Sequence, residues 1–261
     1  IDFMIDHNLM DLENKPGKAS TGYMTSLKKY KAPFVFSCFN HTIFDMQVLS
    51  HELGHAFAGY CAMRHQPVSD YFHESTDIAE IHSMSMEQFC YPYAEYMFGD
   101  MADKYRFAHL QEALTFVPFG VAVDEFQHII YENPDLTPKE RTYEWHKLEE
   151  KYMPWRTYSD DEFMDRGGYW YHKLHIFLYP FYYINYTLTT MGAMEFKKRY
   201  AENKEQAWKD YLALCNAGGS KSYLGLLKVA NLHVPFEEGC VKESISYAKE
   251  ILLKAIEEEQ K

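Results

Sequence analysis

The sequence predicts a mainly α-helical fold with a small β element just ahead of its central helix. Two observations carry that expectation: apolar residues recur at three- and four-residue spacing through most of the chain, and one short run, 33–39, is instead aromatic and β-branched. Turn chemistry in Lys15-Pro16-Gly17-Lys18 marks residues 15–25, and Pro33-Phe34-Val35-Phe36-Ser37-Cys38-Phe39 reads as a strand. From Thr42 the period becomes helical. Asp45 lies in the first turn, where an acid suits the helix dipole, and Met46, Leu49, Leu53 and Phe57 follow at helical spacing until Gly59. A loop with Pro67 leads to helices expected over 76–98 and 104–115. Segment 119–132 reads as a separate helix stopped at Asn133-Pro134, and Thr137-Pro138-Lys139-Glu140 as a new helix start with proline in its first turn. Turn-prone residues 154–168 precede a dense aromatic segment, 169–186, and amphipathic helices are expected near 201–216, 222–230 and 237–259. With no repeat, low-complexity tract or linker in view, one compact domain over 1–261 is expected.

The 261 residues are 47% apolar and 25% charged, enough to bury a sizeable core. Thirty-eight acidic against 26 basic side chains give a formal net charge of −12, which repels phosphates, so neither nucleic acid nor an anionic membrane surface is an expected partner. The apolar stretches 113–123 and 176–184 fall short of the roughly 20 residues a membrane span needs. Five cysteines without a C-x-x-C pair read as reduced thiols, and no secretory leader is visible; a cytoplasmic setting is expected. The opening Ile1-Asp2-Phe3-Met4-Ile5 lacks an initiating methionine and has the texture of an element's interior, so the chain is expected to be a fragment.

The most specific local signal is His51-Glu52-Leu53-Gly54-His55. Histidines four apart on a helix project from one face and can ligate one metal ion, with the intervening glutamate beside it as a general base. Gly54 removes a side chain where another element packs closely. A catalytic zinc ion commonly takes three protein ligands, and Glu80, on the helix expected over 76–98, is the candidate third. Glu87, two turns further along, is placed to accept a hydrogen bond from a ligand histidine and fix its tautomer. Zinc, one ion per chain, is the expected cofactor, although such ligands also serve cobalt and manganese. His82, His128 and His172 read as structural.

With these residues in place, the chain resembles the oligoendopeptidase F and thimet oligopeptidase family of zinc metallopeptidases. The likeness extends through Gly17-Lys18-Ala19, Tyr30-Lys31-Ala32-Pro33-Phe34-Val35-Phe36, Val123-Asp124-Glu125-Phe126-Gln127, His175-Ile176-Phe177 and Pro180-Phe181-Tyr182-Tyr183-Ile184-Asn185-Tyr186, and covers nearly the whole chain. It implies a helical gluzincin-type catalytic domain that hydrolyses internal bonds of short peptides, with His51, His55 and Glu80 holding zinc and Glu52 as general base. Family members are about twice this length, so it also implies a C-terminal half whose missing N-terminal half forms the other wall of the substrate cleft. At Asn40-His41-Thr42, relatives of this branch often have Asn-Gly-Thr, so His41 replaces a small residue.

The resemblance further implies His175 as an oxyanion donor, together with a tyrosine from the following segment. If that segment is helical throughout, Tyr182 and Tyr186 share a face and Tyr183 points elsewhere; Tyr186 is the leading candidate. An extended peptide is expected to add to the backbone of the strand at 34–37, which makes Phe34, Val35, Phe36 and Tyr183 candidate substrate contacts. Gly218-Gly219-Ser220 reads as a helix stop and turn. Two alternatives stand beside the peptidase reading: an incomplete half that binds zinc or peptide but needs its N-terminal half, and a non-catalytic helical interaction domain.

Overall fold

The computed structural model describes residues 1–19 and 21–259 and is mainly helical. A short helix α1 (Asp2–Asp6) leads into β1 (Met10–Asp11), β2 (Tyr23–Leu27) and β3 (Ala32–Phe36), which form one sheet in the order β1-β3-β2. The expected strand is therefore the central one. It runs parallel to β1, with Met10 opposite Val35, and antiparallel to β2, with Thr25 opposite Phe34.

α2 (Ile43–His65) follows after a tight entry. The Asp45 carboxylate accepts hydrogen bonds from the backbone N–H groups of Asn40 and Thr42 at 2.9–3.0 Å, satisfying donors that a helix start would leave orphaned. Burial alone would raise the pKa of Asp45; these backbone donors outweigh it and hold the carboxyl below its ordinary value. His41 completes the turn at φ +61°, in the left-handed region. A side chain costs energy in that conformation, which glycine adopts freely.

The remaining helices are α3 (Thr76–Phe89), α4 (Ala94–Phe98), α5 (Ala102–Glu132), α6 (Pro138–Tyr152), α7 (Glu162–Asp165), α8 (Leu174–Leu178), α9 (Ile184–Glu202), α10 (Lys204–Ala217), α11 (Tyr223–Val229) and α12 (Cys240–Glu259). Three of them differ from expectation. The helix expected over 76–98 stops at Phe89, because Pro92 disfavours helical geometry at Tyr91 before it; α4 starts afresh beyond. Conversely, the two helices expected over 104–115 and 119–132 are one, which runs through Pro118. α9 covers residues for which no helix was expected: Met191, Ala193, Met194 and Phe196 are buried together with Thr187, Thr189 and Thr190, so the helix has no polar face to give it a period.

Contacts divide the described residues into two compact units, Ile1–Gln111 with the segment from Thr189 onward, and Glu112–Leu188. No linker composition marks this division because the chain passes between the units inside α5 and inside α9. In the first unit Ala58, Cys61, Ile78, Ile81, Phe89, Phe196, Tyr211 and Leu214 form the larger core, and Val35, Ala56, Met4 and Leu9 seal the sheet onto α2. The second unit is built on Phe119, Val123, Phe126, Trp145, Leu148 and Trp170. Its α6 starts as expected, with Thr137 and Glu140 hydrogen-bonded reciprocally and Pro138 in the first turn.

α2 and α3 touch at Gly54, where an added Cβ would stand 2.6 Å from Ser83 Cα and 2.7 Å from the His82 carbonyl oxygen. Backbone, not a flexible side-chain end, blocks that position. Gly54→Ala is therefore expected to lower unfolding stability by about 1–3 kcal/mol, the cost of overpacking a tight contact; an unchanged denaturation midpoint would refute the close approach. His41→Gly is expected to act oppositely, raising stability by up to about 1 kcal/mol, because relief of the left-handed backbone exceeds the entropy that glycine adds to the unfolded chain. A lowered urea midpoint would contradict it.

Candidate active site

Residues 51–55 lie in the middle of α2, so His51 and His55 project one turn apart from the same face, with ring centroids 5.0 Å apart and planes at 82°. α3 carries Glu80 to both: its Oε2 is 3.2 Å from His51 Nε2 and 3.6 Å from His55 Nε2. One donor atom from each of these three residues lies within 4.8 Å of the other two, and among the described residues this is the group of His, Cys, Asp or Glu that does so. Two imidazole nitrogens and a carboxylate oxygen are a donor set for a divalent transition metal.

Glu52 is buried beside them, and its Oε2 has no hydrogen-bond partner. An unpaired buried carboxylate oxygen is costly, and here it marks a position that a reactant can satisfy. Burial raises the Glu52 pKa, and the attraction of His51 and His55 offsets only part of that. Glu80 behaves in the opposite way: burial would raise its pKa, but the His51 and His55 imidazoles beside it outweigh that and hold the carboxyl well below the carboxylate range. Ser83 Oγ adds a hydrogen bond to Glu80 Oε2 at 3.0 Å. For His51, burial acts to lower the pKa, and the carboxylates of Glu80 and Glu87 beside it overcome that and push it up to about 10. The set of donors, the orphaned Glu52 oxygen and the local negative charge fit a divalent cation.

Glu87 stands where the sequence placed it, with Oε1 2.7 Å from His51 Nδ1. Beyond it lie two residues that sequence reading missed. Glu87 Oε2 is 2.5 Å from His109 Nε2, and His109 Nδ1 is 2.6 Å from the Tyr91 hydroxyl. Neither belongs to a motif, and only the packing of α5 against the end of α3 brings them together.

His175, Tyr182, Tyr183 and Tyr186 cluster in the second unit, with the His175 ring 6.0, 5.1 and 6.1 Å from the three tyrosine rings in turn. The segment is not helical throughout: α8 ends at Leu178, Phe181 turns at φ +60°, and α9 starts at Ile184. Tyr182 and Tyr186 nevertheless meet, at 5.6 Å between rings. Tyr183, expected at the substrate, is only 7% exposed and packs between Phe116 and Phe119, so its ring belongs to the core. The expectation that peptide adds to the backbone of Phe34, Val35 and Phe36 is also corrected. β3 is paired on both sides, and Val35 N–H and Ser37 N–H donate to the carbonyls of Leu9 and Asp11, which leaves no free edge. The sheet's edges belong to its outer strands, β1 and β2, of which β2 is the longer. Just before it, the Cβ position of Gly22 lies 3.3 Å from Glu52 Oε1, so the start of that strand runs beside the carboxylate. His82 is fully buried against Tyr211 and Cys215, as a structural histidine should be, and the Gly218-Gly219 turn packs on the Tyr71 carbonyl.

Residues 2–244 match the model of peptidase family M3. Among curated proteins, the chain is 23% identical to oligopeptidase PepF of Bacillus subtilis (strain 168), covering 96% of this chain and 38% of that protein. It is 25% identical to an oligoendopeptidase F homolog of Borreliella burgdorferi, covering 88% and 39%. A solved structure of PZ peptidase A with an inhibitor superimposes with a TM-score of 0.89 at 49% identity, over 97% of this chain and 45% of that one. The chain thus spans about two-fifths of the length of the curated relatives it matches. No helix among the described residues is long and apolar enough to cross a membrane. The match over nearly the full length, together with the two-histidine, one-glutamate cluster, identifies the chain as a member of peptidase family M3.

Proposed function

We propose that the chain is the catalytic part of a zinc-dependent oligoendopeptidase that hydrolyses internal bonds of short peptides, with one zinc ion held by His51, His55 and Glu80. The observation that carries this reading is the meeting of Glu80 with both histidines beside a buried glutamate that has one oxygen unpaired. When bound, zinc supplies Lewis-acid chemistry, polarising the scissile carbonyl and lowering the pKa of a water to roughly 7. Glu52 takes the proton of the attacking water at Oε2 and passes it to the departing amine nitrogen as the C–N bond breaks; its raised pKa suits both transfers. Glu87 holds His51 with Nδ1 protonated and Nε2 free to ligate. The peptide main chain runs along the free edge of β2, where Gly22 gives it access to Glu52. By resemblance, His175 donates to the developing oxyanion together with Tyr186, with Tyr182 beside them. The five free thiols suit the reducing, cytoplasmic setting expected for such an enzyme.

A second reading is favoured by the chain's share of its relatives, 38–39% of their length: activity requires the part of those longer proteins that this chain does not span, by resemblance an N-terminal half. Digestion of a mixed library of short unstructured peptides, read by mass spectrometry, tests both. Internal cuts by the zinc-loaded chain alone support the first reading; cuts only after an N-terminal half is supplied support the second; none in either case refutes the peptidase assignment. Glu52→Gln is expected to retain zinc and lose at least about 100-fold in turnover, as removal of a general base does. Tyr186→Phe is expected to lower kcat by about 100-fold at nearly constant KM, equivalent to one lost oxyanion donor. Unchanged turnover in either variant removes that residue from the mechanism.

A further inference from the structure

His51 is the end of a buried chain of hydrogen bonds that runs away from the metal cluster: His51 Nδ1 to Glu87 Oε1 at 2.7 Å, Glu87 Oε2 to His109 Nε2 at 2.5 Å, and His109 Nδ1 to the Tyr91 hydroxyl at 2.6 Å. Glu87, His109 and Tyr91 are 5%, 7% and 8% exposed, so water does not compete for these bonds. The direction of every proton in the chain follows from its two ends. His51 must leave Nε2 free to ligate, so Nδ1 donates to Glu87. The ionised carboxylate can only accept, so His109 donates from Nε2 and its neutral ring is left an acceptor at Nδ1. Tyr91 supplies the last proton. Burial holds the phenol protonated.

The outer end is fixed in place independently of the metal. Arg106 donates to the Tyr91 carbonyl at 2.9 and 3.1 Å, and Lys197 Nζ sits 3.4 Å from the centre of the Tyr91 ring. Tyr105 stacks on the His109 ring at 5.4 Å and 9°.

We infer that His109 and Tyr91 are positioning residues for the metal site, fixing through Glu87 the tautomer and ring plane of His51. The inference rests on the reading of His51 as a zinc ligand. Without His109, Glu87 Oε2 is a buried carboxylate oxygen with no donor, and the carboxylate that orients His51 either swings away or takes a proton and ceases to accept. Gln at position 109 preserves the chain, since its amide N–H₂ can donate to Glu87 and its carbonyl can accept from Tyr91.

The test is zinc affinity of the full chain, measured by competition with a chromophoric chelator, alongside the visible spectrum of the cobalt-loaded protein and thermal unfolding of the metal-free protein. His109→Leu is expected to weaken zinc binding about tenfold, the lower end of the range for groups that support metal ligands, and to shift the cobalt bands. His109→Gln is expected to restore both. Tyr91→Phe, which keeps the ring and removes only the hydroxyl, is expected to weaken binding several-fold, and it decides the matter if His109→Leu fails to fold. Zinc affinity and cobalt bands equal to the parent's in folded His109→Leu or in Tyr91→Phe would overturn the inference alone. A loss in His109→Leu that His109→Gln does not recover would assign the effect to packing and overturn it too. Failure of the parent to bind zinc would overturn the metal reading and this inference with it.

Discussion

Glu80 reaches the two histidines because α3 lies against α2 with no side chain between them at Gly54, where even a β-carbon would stand 2.6 Å from backbone. A glutamate side chain is short, so the separation of two helices decides whether a carboxylate on one can share a cation with imidazoles on the other. The same contact sets Glu87, two turns along α3, against the far nitrogen of His51. The other flank of α2 is held by the sheet, where Val35 and Ala56 are buried together. The helix is thus clamped from both sides, and what it presents to the site is fixed by packing, not by the flexibility of its side chains.

That packing buries glutamates in contrasting states. Glu80 and Glu87 are kept ionised by histidine partners although burial opposes it, whereas burial raises Glu52 and pushes Glu74 up to about 7. Identical side chains are thereby given different work. A carboxylate held as a fixed anion binds a cation or orients a ligand, and one whose affinity for a proton is raised can move it. The distinction depends only on whether a donor is built into the wall beside each carboxylate.

Much of this was legible in the sequence because it is written in helical periodicity: the four-residue spacing of His51 and His55 and the seven-residue spacing of Glu80 and Glu87 survive any detail of tertiary packing. What lay across elements was not legible. His109 sits in an ordinary stretch of α5 and Tyr91 in the turn after α3, and nothing in either neighbourhood signals that they meet. Strand partners were equally hidden, which is why the run at 33–39 suggested a free edge when β1, only two residues long, occupies one side of it and β2 the other. α9 escaped notice for the opposite reason to that of a loop: buried nearly all round, it shows no alternation of faces. α5 runs unbroken through Pro118 because a proline's effect on a helix is a local cost, which the packed surroundings outweigh.

The open side of β2 has a consequence for the protein's own solubility. Unpaired N–H and C=O groups along a strand are a template on which the matching strand of another molecule can pair. Lys28, Lys29 and Lys31 follow Tyr23–Leu27 immediately in sequence and are exposed. Two copies pairing in parallel along this edge would bring those like charges together. The lysines thus oppose that parallel self-pairing by like-charge repulsion.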